Sequence, residues 1–250
     1  LTGSITALSE KDFNKGAITS AEGLLNGRTS GVVVTQSGTP GNDAVIRVRG
    51  GSSLLSSNDP LIVIDGLPVE GGLSSINPND IESFSILKDA SSTAIYGNRG
   101  SNGVILITTK KGSKKKLQVS FNSFTTYNTL AKNVDVYNGD QFREIINTMA
   151  PNKANLLGTA NTNWQDLIFR NTASFDSNLS LMGNLFDKIP SRLSIGHTEN
   201  EGLLLTSNYK RSTASFTLNP TLFDNHLKLN ISGNYTYAFR TNADEGAIGS

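Results

Sequence analysis

The sequence predicts a small α+β domain followed by a series of long antiparallel β-strands. Residues 1 to about 110 mix short apolar runs with helix and turn signals. From Leu117 onward, apolar and polar residues alternate, the period expected of strands whose two faces differ. A lysine-rich link at residues 110–116 joins the two parts. We therefore expect two domains, residues 1–112 and residues 113–250.

The first part is predicted to contain short strands and a helix. Ser20 is a suitable N-cap for a helix over residues 21–26. The run at 61–64 is fully apolar, as expected of a strand covered on both faces, and Asp65-Gly66 after it is a tight-turn pair. The remaining predicted elements are strands over 32–35, 44–49, 81–87 and 104–109, and a short helix or turn over 88–96. Together they predict a mixed sheet.

Alternation in the second part is strictest over residues 227–239. Such a strand exceeds the roughly 5–6 residues usual in soluble proteins and reaches the roughly 9–11 that cross a membrane. Apolar residues toward lipid, polar residues toward a lumen and aromatic residues at the interface are the pattern of an outer-membrane barrel strand. The pattern predicts Leu229, Ile231, Tyr235 and Tyr237 on lipid, and Lys228, Asn230, Ser232 and Asn234 in the lumen. A soluble sandwich or adhesin strand is the alternative.

Four further segments alternate in the same way, and the connections between these strands differ in length. The segments are 117–122, 178–182, 192–196 and 213–219, and the connections are 129–172, 183–188, 200–208 and 220–225. Long extracellular loops and short periplasmic turns are typical of such barrels. Within the longest loop, Phe142, Ile145, Ile146 and Met149 recur at helical spacing, which predicts one amphipathic helix packed on the loop or rim.

Composition excludes several classes of function. The chain of 250 residues has a formal net charge of +1 and no Cys, which argues against a general nucleic-acid binder, thiolate metal sites and Cys nucleophiles. Phosphate-loop and nucleophile-elbow motifs are missing, and His197 and His226 stand far from any Ser/Asp grouping. Turn chemistry explains Asp65, so its proximity to Glu70 does not argue for acid/base catalysis. The sequence predicts no enzyme, no cofactor and no metal.

The lysine-rich link allows two interpretations, a solvated linker or a basic segment at a membrane surface. Residues 1–5 lack the charged and apolar regions of a signal peptide, and residues 244–250 are loop-like. We therefore expect a processed or incomplete chain.

Residues 45–112 carry specific motifs. They are VIRVRG at 45–50, PLIVIDGLP at 60–68, NPNDIES at 77–83, and the continuous run at 87–112 that includes SNGVILITTKKG. With residues 25–32 and 37–41, they strongly resemble the plug domain of SusC/RagA-type TonB-dependent outer-membrane transporters of Bacteroidota. The following residues resemble the first barrel strands of that family, with less specific motifs.

The resemblance implies an α+β plug domain followed by antiparallel transmembrane β-barrel strands, the start of a barrel of about 22 strands. This chain would hold about the first five strands, with an extracellular loop near 129–173. Because the edges of an open sheet would be unsatisfied in lipid, we expect the chain to be part of a longer protein.

The resemblance also implies TonB-dependent import of a glycan or oligopeptide across the cell outer membrane, gated by the plug. The implied partners are a SusD-like surface lipoprotein, outer-membrane lipids, and TonB of the inner-membrane motor, which pairs with a segment upstream of this chain by strand addition. No nucleic-acid partner is implied. Two alternatives stay open: a signalling or secretion-associated relative that keeps the plug, and a soluble periplasmic binding module.

Two glycine-rich loops of the plug are, by resemblance, candidates for the ligand-facing apices. The candidate residues are Ser52, Ser53, Leu54, Ser56, Asn58, Glu70 and Gly71. Small polar side chains of this kind suit a hydroxyl- or amide-rich ligand. Arg47 and Arg49 share one strand face, and we interpret them as plug contacts to acidic groups of the barrel wall. An ordinary solvated strand face is the alternative.

Overall fold

The described residues form two five-stranded sheets and two small two-stranded ones. The computed structural model describes residues 5–16, 18–48, 58–69, 72–89, 93–186, 188–224 and 226–242. The strands are β1 (Ile5–Ser9), β2 (Val32–Thr35), β3 (Val45–Val48), β4 (Leu61–Ile64), β5 (Leu67–Val69), β6 (Ile81–Leu87), β7 (Val104–Thr109), β8 (Gln118–Asn128), β9 (Thr172–Leu185), β10 (Ile189–Glu201), β11 (Asn208–Leu218), β12 (Thr221–Leu222), β13 (Leu227–Lys228) and β14 (Ile231–Thr241). The α-helices are α1 (Ala21–Leu25), α2 (Gly139–Met149) and α3 (Trp164–Ile168), and the 3₁₀ segments are Leu73–Ser75, Pro78–Asp80, Ala94–Gly100 and Pro151–Leu156.

The N-terminal domain is built on a mixed sheet in the order β1-β6-β7-β4-β5. β4 pairs with β7 in parallel, and the other pairs are antiparallel. Val63 and Val104 are fully buried on one face of the sheet, while Phe84 and Ile105 are fully buried on the other. The prediction that 61–64 is covered on both faces is therefore confirmed, and the strand predicted over 104–109 is buried on both faces as well.

Helix α1 is short and entirely buried, but it is not capped as the sequence predicts. Ser20 occupies the N-cap position and makes no side-chain capping bond. The cap lies at the C-terminal end, where the side-chain amide group of Asn14 donates to the carbonyls of Gly23 (2.9 Å) and Asn26 (2.8 Å). Because Asn14 is distant in sequence, local capping rules do not identify it.

The Asp65-Gly66 pair forms the predicted tight turn, between β4 and β5. Both residues have positive φ, 48° and 89°, which is the two-residue hairpin geometry that favours Asp-Gly. The Asp65 carboxylate also accepts hydrogen bonds from the Thr109 amide (2.9 Å) and hydroxyl (2.5 Å). The turn is thereby fixed to the last residue of β7, from which the chain leaves the domain.

The second large sheet, called here the strand wall, consists of β8, β9, β10, β11 and β14. Its order is β14-β11-β10-β9-β8, all neighbours are antiparallel, and each strand has 11–14 residues. The five long strands predicted from alternation are present. The single strand predicted over 227–239 is wrong at its start, because β13 pairs with β12 in a separate small hairpin and β14 begins at Ile231.

The two faces of the strand wall reverse the pattern of a soluble protein. Along β10, Arg192, Ser194 and Thr198 are buried, whereas Leu193 and Ile195 between them are largely exposed. Strands β9 and β11 alternate in the same way. The buried polar face packs against the N-terminal domain, so the apolar face points away from it.

The pairing register between β11 and β14 shows that β14 also has one polar and one apolar face. Ser215 pairs with Asn234, and Phe216 pairs with Gly233. Directly paired residues share a face, so Asn234 lies on the polar face, and Tyr235, one residue on, lies on the apolar face with Phe216. The faces predicted for Ser232, Asn234, Tyr235 and Tyr237 agree with this register, although burial does not separate them on this edge strand.

The connection between β8 and β9 is a folded loop. Helix α2 begins with a capping box, in which the Asn138 side chain accepts from the Gln141 amide and the Gln141 side chain accepts from the Asn138 amide. Arg143 donates to the carbonyls of Gly158 and Ala160 at 2.9 and 3.0 Å. The predicted amphipathic helix is confirmed, and none of its residues is buried.

None of the helices in the described part of the chain is long and apolar enough to cross a membrane.

Candidate functional site

The candidate site is the contact between the N-terminal domain and the polar face of the strand wall. We call the end where β8 begins the link end, and the end where β8 stops the loop end. Near the link end, Arg192 of β10 donates to the Asp80 carboxylate at 2.7 Å, and Ser215 of β11 donates to the second carboxylate oxygen at 2.8 Å. The Arg192 and Asp80 side chains are only 4% and 10% exposed, so this is a buried ion pair.

Asp80 is held in place by its own local structure. It ends the 3₁₀ turn Pro78–Asp80, in which Asn77 is the N-cap and accepts from the Asn79 amide at 3.0 Å. The Asn77 amide group donates in turn to the Thr213 hydroxyl of the wall at 3.1 Å. The motif read as NPNDIES in the sequence therefore forms a rigid turn that presents two polar side chains to the wall.

Arg211 of β11 is the second arginine of the contact and is 2% exposed. Its guanidinium donates to the carbonyls of Ser74 (2.5 Å), Ile76 (3.3 Å) and Thr19 (2.9 Å). One wall side chain thus joins two segments of the N-terminal domain that are far apart in sequence. A planar, five-donor group is suited to this role.

At the loop end, Arg240 of β14 donates to the Gly41 carbonyl at 3.1 Å and to the Asn42 side chain at 2.7 Å. Gly41 has a φ of +75°, and a Cβ there would overlap the Tyr209 ring. Only glycine therefore permits this approach between the β2–β3 connection and the wall.

Beside this contact, at the loop end, is a cleft of about 530 Å³. Its lining from the N-terminal domain includes Gln36, Ser37, Thr39 and Asn42, and its lining from the wall includes Asn200. These five side chains are uncharged hydrogen-bond donors and acceptors, and the charged Glu201 and Arg211 also line the cleft. The lining therefore suits a polar ligand.

Glu22 of α1 is a buried carboxyl group, 1% exposed, behind the Arg211 contact. Neither oxygen has a partner with hydrogen-bond geometry among the described residues. Burial raises the pKa of Glu22, and the nearby Asp43 carboxylate acts in the same direction. Its own backbone amide, the Ser20 hydroxyl and the charge of Arg211 offset part of this effect.

The raised pKa gives a prediction for Glu22→Gln. A carboxyl whose folded-state pKa exceeds its ordinary 4.5 contributes stability below about that pH, and the contribution is lost as the pH rises through the folded-state pKa. We expect the variant to resist urea better than the wild type at pH 7, and the difference to shrink toward pH 4. The readout is labelling of Val63→Cys, a buried position, in the full-length protein by a dithiodipyridine, a reagent that reacts with thiols at acid as well as neutral pH. A variant that is weaker at pH 7 would instead mean that Glu22 is ionised and supports Arg211.

The structure describes two of the residues predicted for the site. Arg47 is exposed and pairs with Val33 in the small sheet β2–β3, and Asn58 precedes β4. Arg49, Ser52, Ser53, Leu54, Ser56, Glu70 and Gly71 lie outside the described residues. The wall contact of Arg47 and the ligand-facing loops therefore remain predictions.

Asp80, Arg192 and Arg211 were not among the residues predicted from the sequence. In the contacts described above, the arginines belong to the wall and their acceptors to the N-terminal domain, the opposite arrangement to that predicted for Arg47 and Arg49. The sequence contained a signal, because Arg192 and Arg211 lie on the polar face of strands whose opposite face is apolar.

Comparisons with known proteins match both parts of the chain. Residues 1–104 match the family model "TonB-dependent Receptor Plug Domain". The chain is 46% identical over 258 residues to the TonB-dependent receptor SusC of Bacteroides thetaiotaomicron, with 99% of this chain and 26% of the relative covered. It is 36% identical to the TonB-dependent receptor P26 of Formosa agariphila, with 97% of this chain and 26% of the relative covered.

A structure of the RagAB peptide transporter superposes with a TM-score of 0.83 at 25% identity, covering 97% of this chain and 31% of that one. The ferric citrate transporter FecA superposes with a TM-score of 0.66 at 15% identity, covering 96% of this chain and 32% of that one, which shows the fold alone.

The N-terminal domain is thus the plug of a TonB-dependent receptor, followed by antiparallel strands as in solved receptors. Within that class, the chain belongs to the SusC/RagA type. It spans about a quarter of the length of the curated relatives described above.

Proposed function

We propose that the protein of which this chain forms part imports a large nutrient, a glycan or an oligopeptide, across the outer membrane in a TonB-dependent way. Identity of 46% to SusC supports this assignment. In this proposal, residues 1–112 are the plug, residues 113–250 are the first five strands of the barrel, and a SusD-like lipoprotein covers the extracellular side. TonB engages a segment upstream of these residues.

The observation that carries the proposal is the polar character of the contact between plug and wall. Hydrogen bonds such as Asn77–Thr213 exchange with water at a net cost of about 0.5–1.5 kcal/mol each. Such a contact seals the lumen at rest and can still be separated by an applied force. The cleft at the loop end would face the incoming nutrient.

Gating can be tested by fixing the plug to the wall. We expect the double variant Asn77→Cys/Thr213→Cys of the full-length receptor, cross-linked by a short bifunctional thiol reagent, to lose uptake. Each single-cysteine variant, treated identically, should retain uptake of the glycan or peptide on which growth depends. Uptake that survives complete cross-linking, or that persists without TonB, would overturn the proposal.

The proposed topology has a separate test. The chain contains no Cys, so a single introduced cysteine is a unique label within it. An impermeant maleimide added to whole cells should label Lys153→Cys in the long loop and leave Ser113→Cys in the link unlabelled, because the link lies at the periplasmic rim. After the outer membrane is permeabilised, both should react. Strong labelling of Ser113→Cys in intact cells would refute the placement.

A further inference from the structure

The lysine-rich link is folded against the strand wall. The Gly112 amide donates to the Asn219 side chain at 3.1 Å, and Ser113 forms a β-bridge with Ser191 at the start of β10. A Cβ at Gly112 would overlap the backbone of Pro190 and Ser191, so glycine is required for this approach. The link therefore holds a defined position at the link end.

This position creates a cavity of about 420 Å³ between the link and the β12–β13 hairpin. Lys111 and Lys114 line it from the link, and Lys228 lines it from the hairpin. No acidic residue lines the cavity, and no ion pair or hydrogen bond occupies the amino groups of these three lysines within the described chain. By contrast, the neighbouring Lys110 pairs with Glu10 at 3.0 Å. Three unpaired cations around one cavity indicate an anionic ligand.

The remaining lining combines the uncharged polar side chains Asn219, Thr221 and Asn230 with an apolar part, and the apolar part indicates which anion binds. Pro190, Pro220 and Leu229 line the cavity beside the lysines. Two residues after Leu229, Ile231 begins the exposed apolar face of β14. A molecule seated here would place its charge among the lysines and its apolar part along the lipid-facing strand. An anionic phospholipid has this division, and lysines near a membrane surface attract such lipids.

We propose that this cavity binds the headgroup of an anionic phospholipid from the periplasmic leaflet of the outer membrane. The proposal rests on the proposed placement of the strand wall in that membrane and goes beyond the import function. A bound lipid would offset part of the charge of the three lysines and tie the link to the bilayer at the point where the plug joins the barrel.

The test uses the delipidated full-length receptor in detergent and native mass spectrometry, in which the added mass identifies the ligand. The probes are short-chain phosphatidylglycerol, phosphatidylcholine of the same chain length, and inorganic phosphate. Phosphatidylglycerol should bind, and the triple variant Lys111→Gln/Lys114→Gln/Lys228→Gln should bind it about a hundredfold more weakly, since each lysine near an anionic lipid contributes roughly fivefold.

The matched control is Lys115→Gln/Lys116→Gln/Lys188→Gln, which removes the same charge from exposed positions at the same end that do not line the cavity. We expect it to lose less than about fivefold in affinity, as a diffuse surface charge would. Equal losses in the two triple variants, or wild-type binding of phosphatidylcholine as tight as that of phosphatidylglycerol, would overturn the proposal. Inorganic phosphate binding as tightly as phosphatidylglycerol would identify a phosphate site and also overturn it. Because lipid binding is measured without uptake, its failure is distinguishable from failure of the import function.

Discussion

Replacing Ile105 by glutamate is expected to unfold the plug while the barrel still inserts. Ile105 is fully buried in the plug sheet between β6 and the parallel strand β4. Keeping a buried glutamate protonated at pH 7 costs about 4 kcal/mol, given an ordinary pKa near 4.3 and 1.36 kcal/mol for each unit. That is a large share of the roughly 5–15 kcal/mol that stabilises a typical domain. The wall strands do not depend on this core for their ladder bonds.

The expected phenotype is a normal amount of receptor in the outer membrane, no TonB-dependent uptake, and sensitivity to a large antibiotic that the intact membrane excludes. The matched control is Ile95→Glu, the same substitution at a side chain that is 81% exposed, and it should behave as the wild type. Maleimide labelling of Val63→Cys reports plug unfolding directly. A sealed and fully active Ile105→Glu receptor would mean that these residues are not a folded plug.

Removing Arg192 is expected to have the second largest effect on the stability of the plug, after Ile105→Glu. Arg192→Met leaves the Asp80 carboxylate buried, with Ser215 as its remaining side-chain donor among the residues that the structure describes. Breaking a buried pair by removing one partner costs about 3–5 kcal/mol, because a charge stays uncompensated. Labelling of Val63→Cys in the full-length receptor should therefore accelerate at least about a hundredfold.

Two further variants separate charge burial from lost packing. Arg192→Met/Asp80→Asn should recover most of the loss, because no buried charge is left unpaired. Glu10→Gln removes a pair in which the two side chains are 28% and 68% exposed, and it should change labelling less than about fivefold. If Arg192→Met changes the labelling rate of Val63→Cys no more than Glu10→Gln does, the Arg192–Asp80 pair does not stabilise the plug.

Sequence patterns predict most of this fold because both kinds of strand carry local signals. Continuous apolar runs mark the covered strands β4 and β7, and alternation marks the wall. The prediction from alternation is wrong at Leu227 and Lys228, because these residues belong to the small β12–β13 hairpin, whose residues alternate with the same period as those of a long strand. Period alone reports which face a residue occupies. It does not report which strand is its neighbour.

The candidate site was less accessible to such patterns. Arg192 and Arg211 are visible on the polar parity, but the acceptors of Arg211 are main-chain carbonyls, which every residue carries. Their selection depends on how β11 lies against the segment around Ser74, a long-range arrangement. Asp80 can be identified as a site residue only from the structure, which shows that its turn faces the wall.

If the plug leaves the lumen as the proposed import function requires, the polar face of the strand wall also determines what happens to the lumen. Ser194, Thr198 and Thr213 lose protein neighbours at that moment, and each keeps a hydroxyl group that water can bond. A space bounded by such groups fills with water, whereas apolar constrictions of comparable width expel it and stop conduction. The vacated lumen therefore wets and stays open to a polar solute.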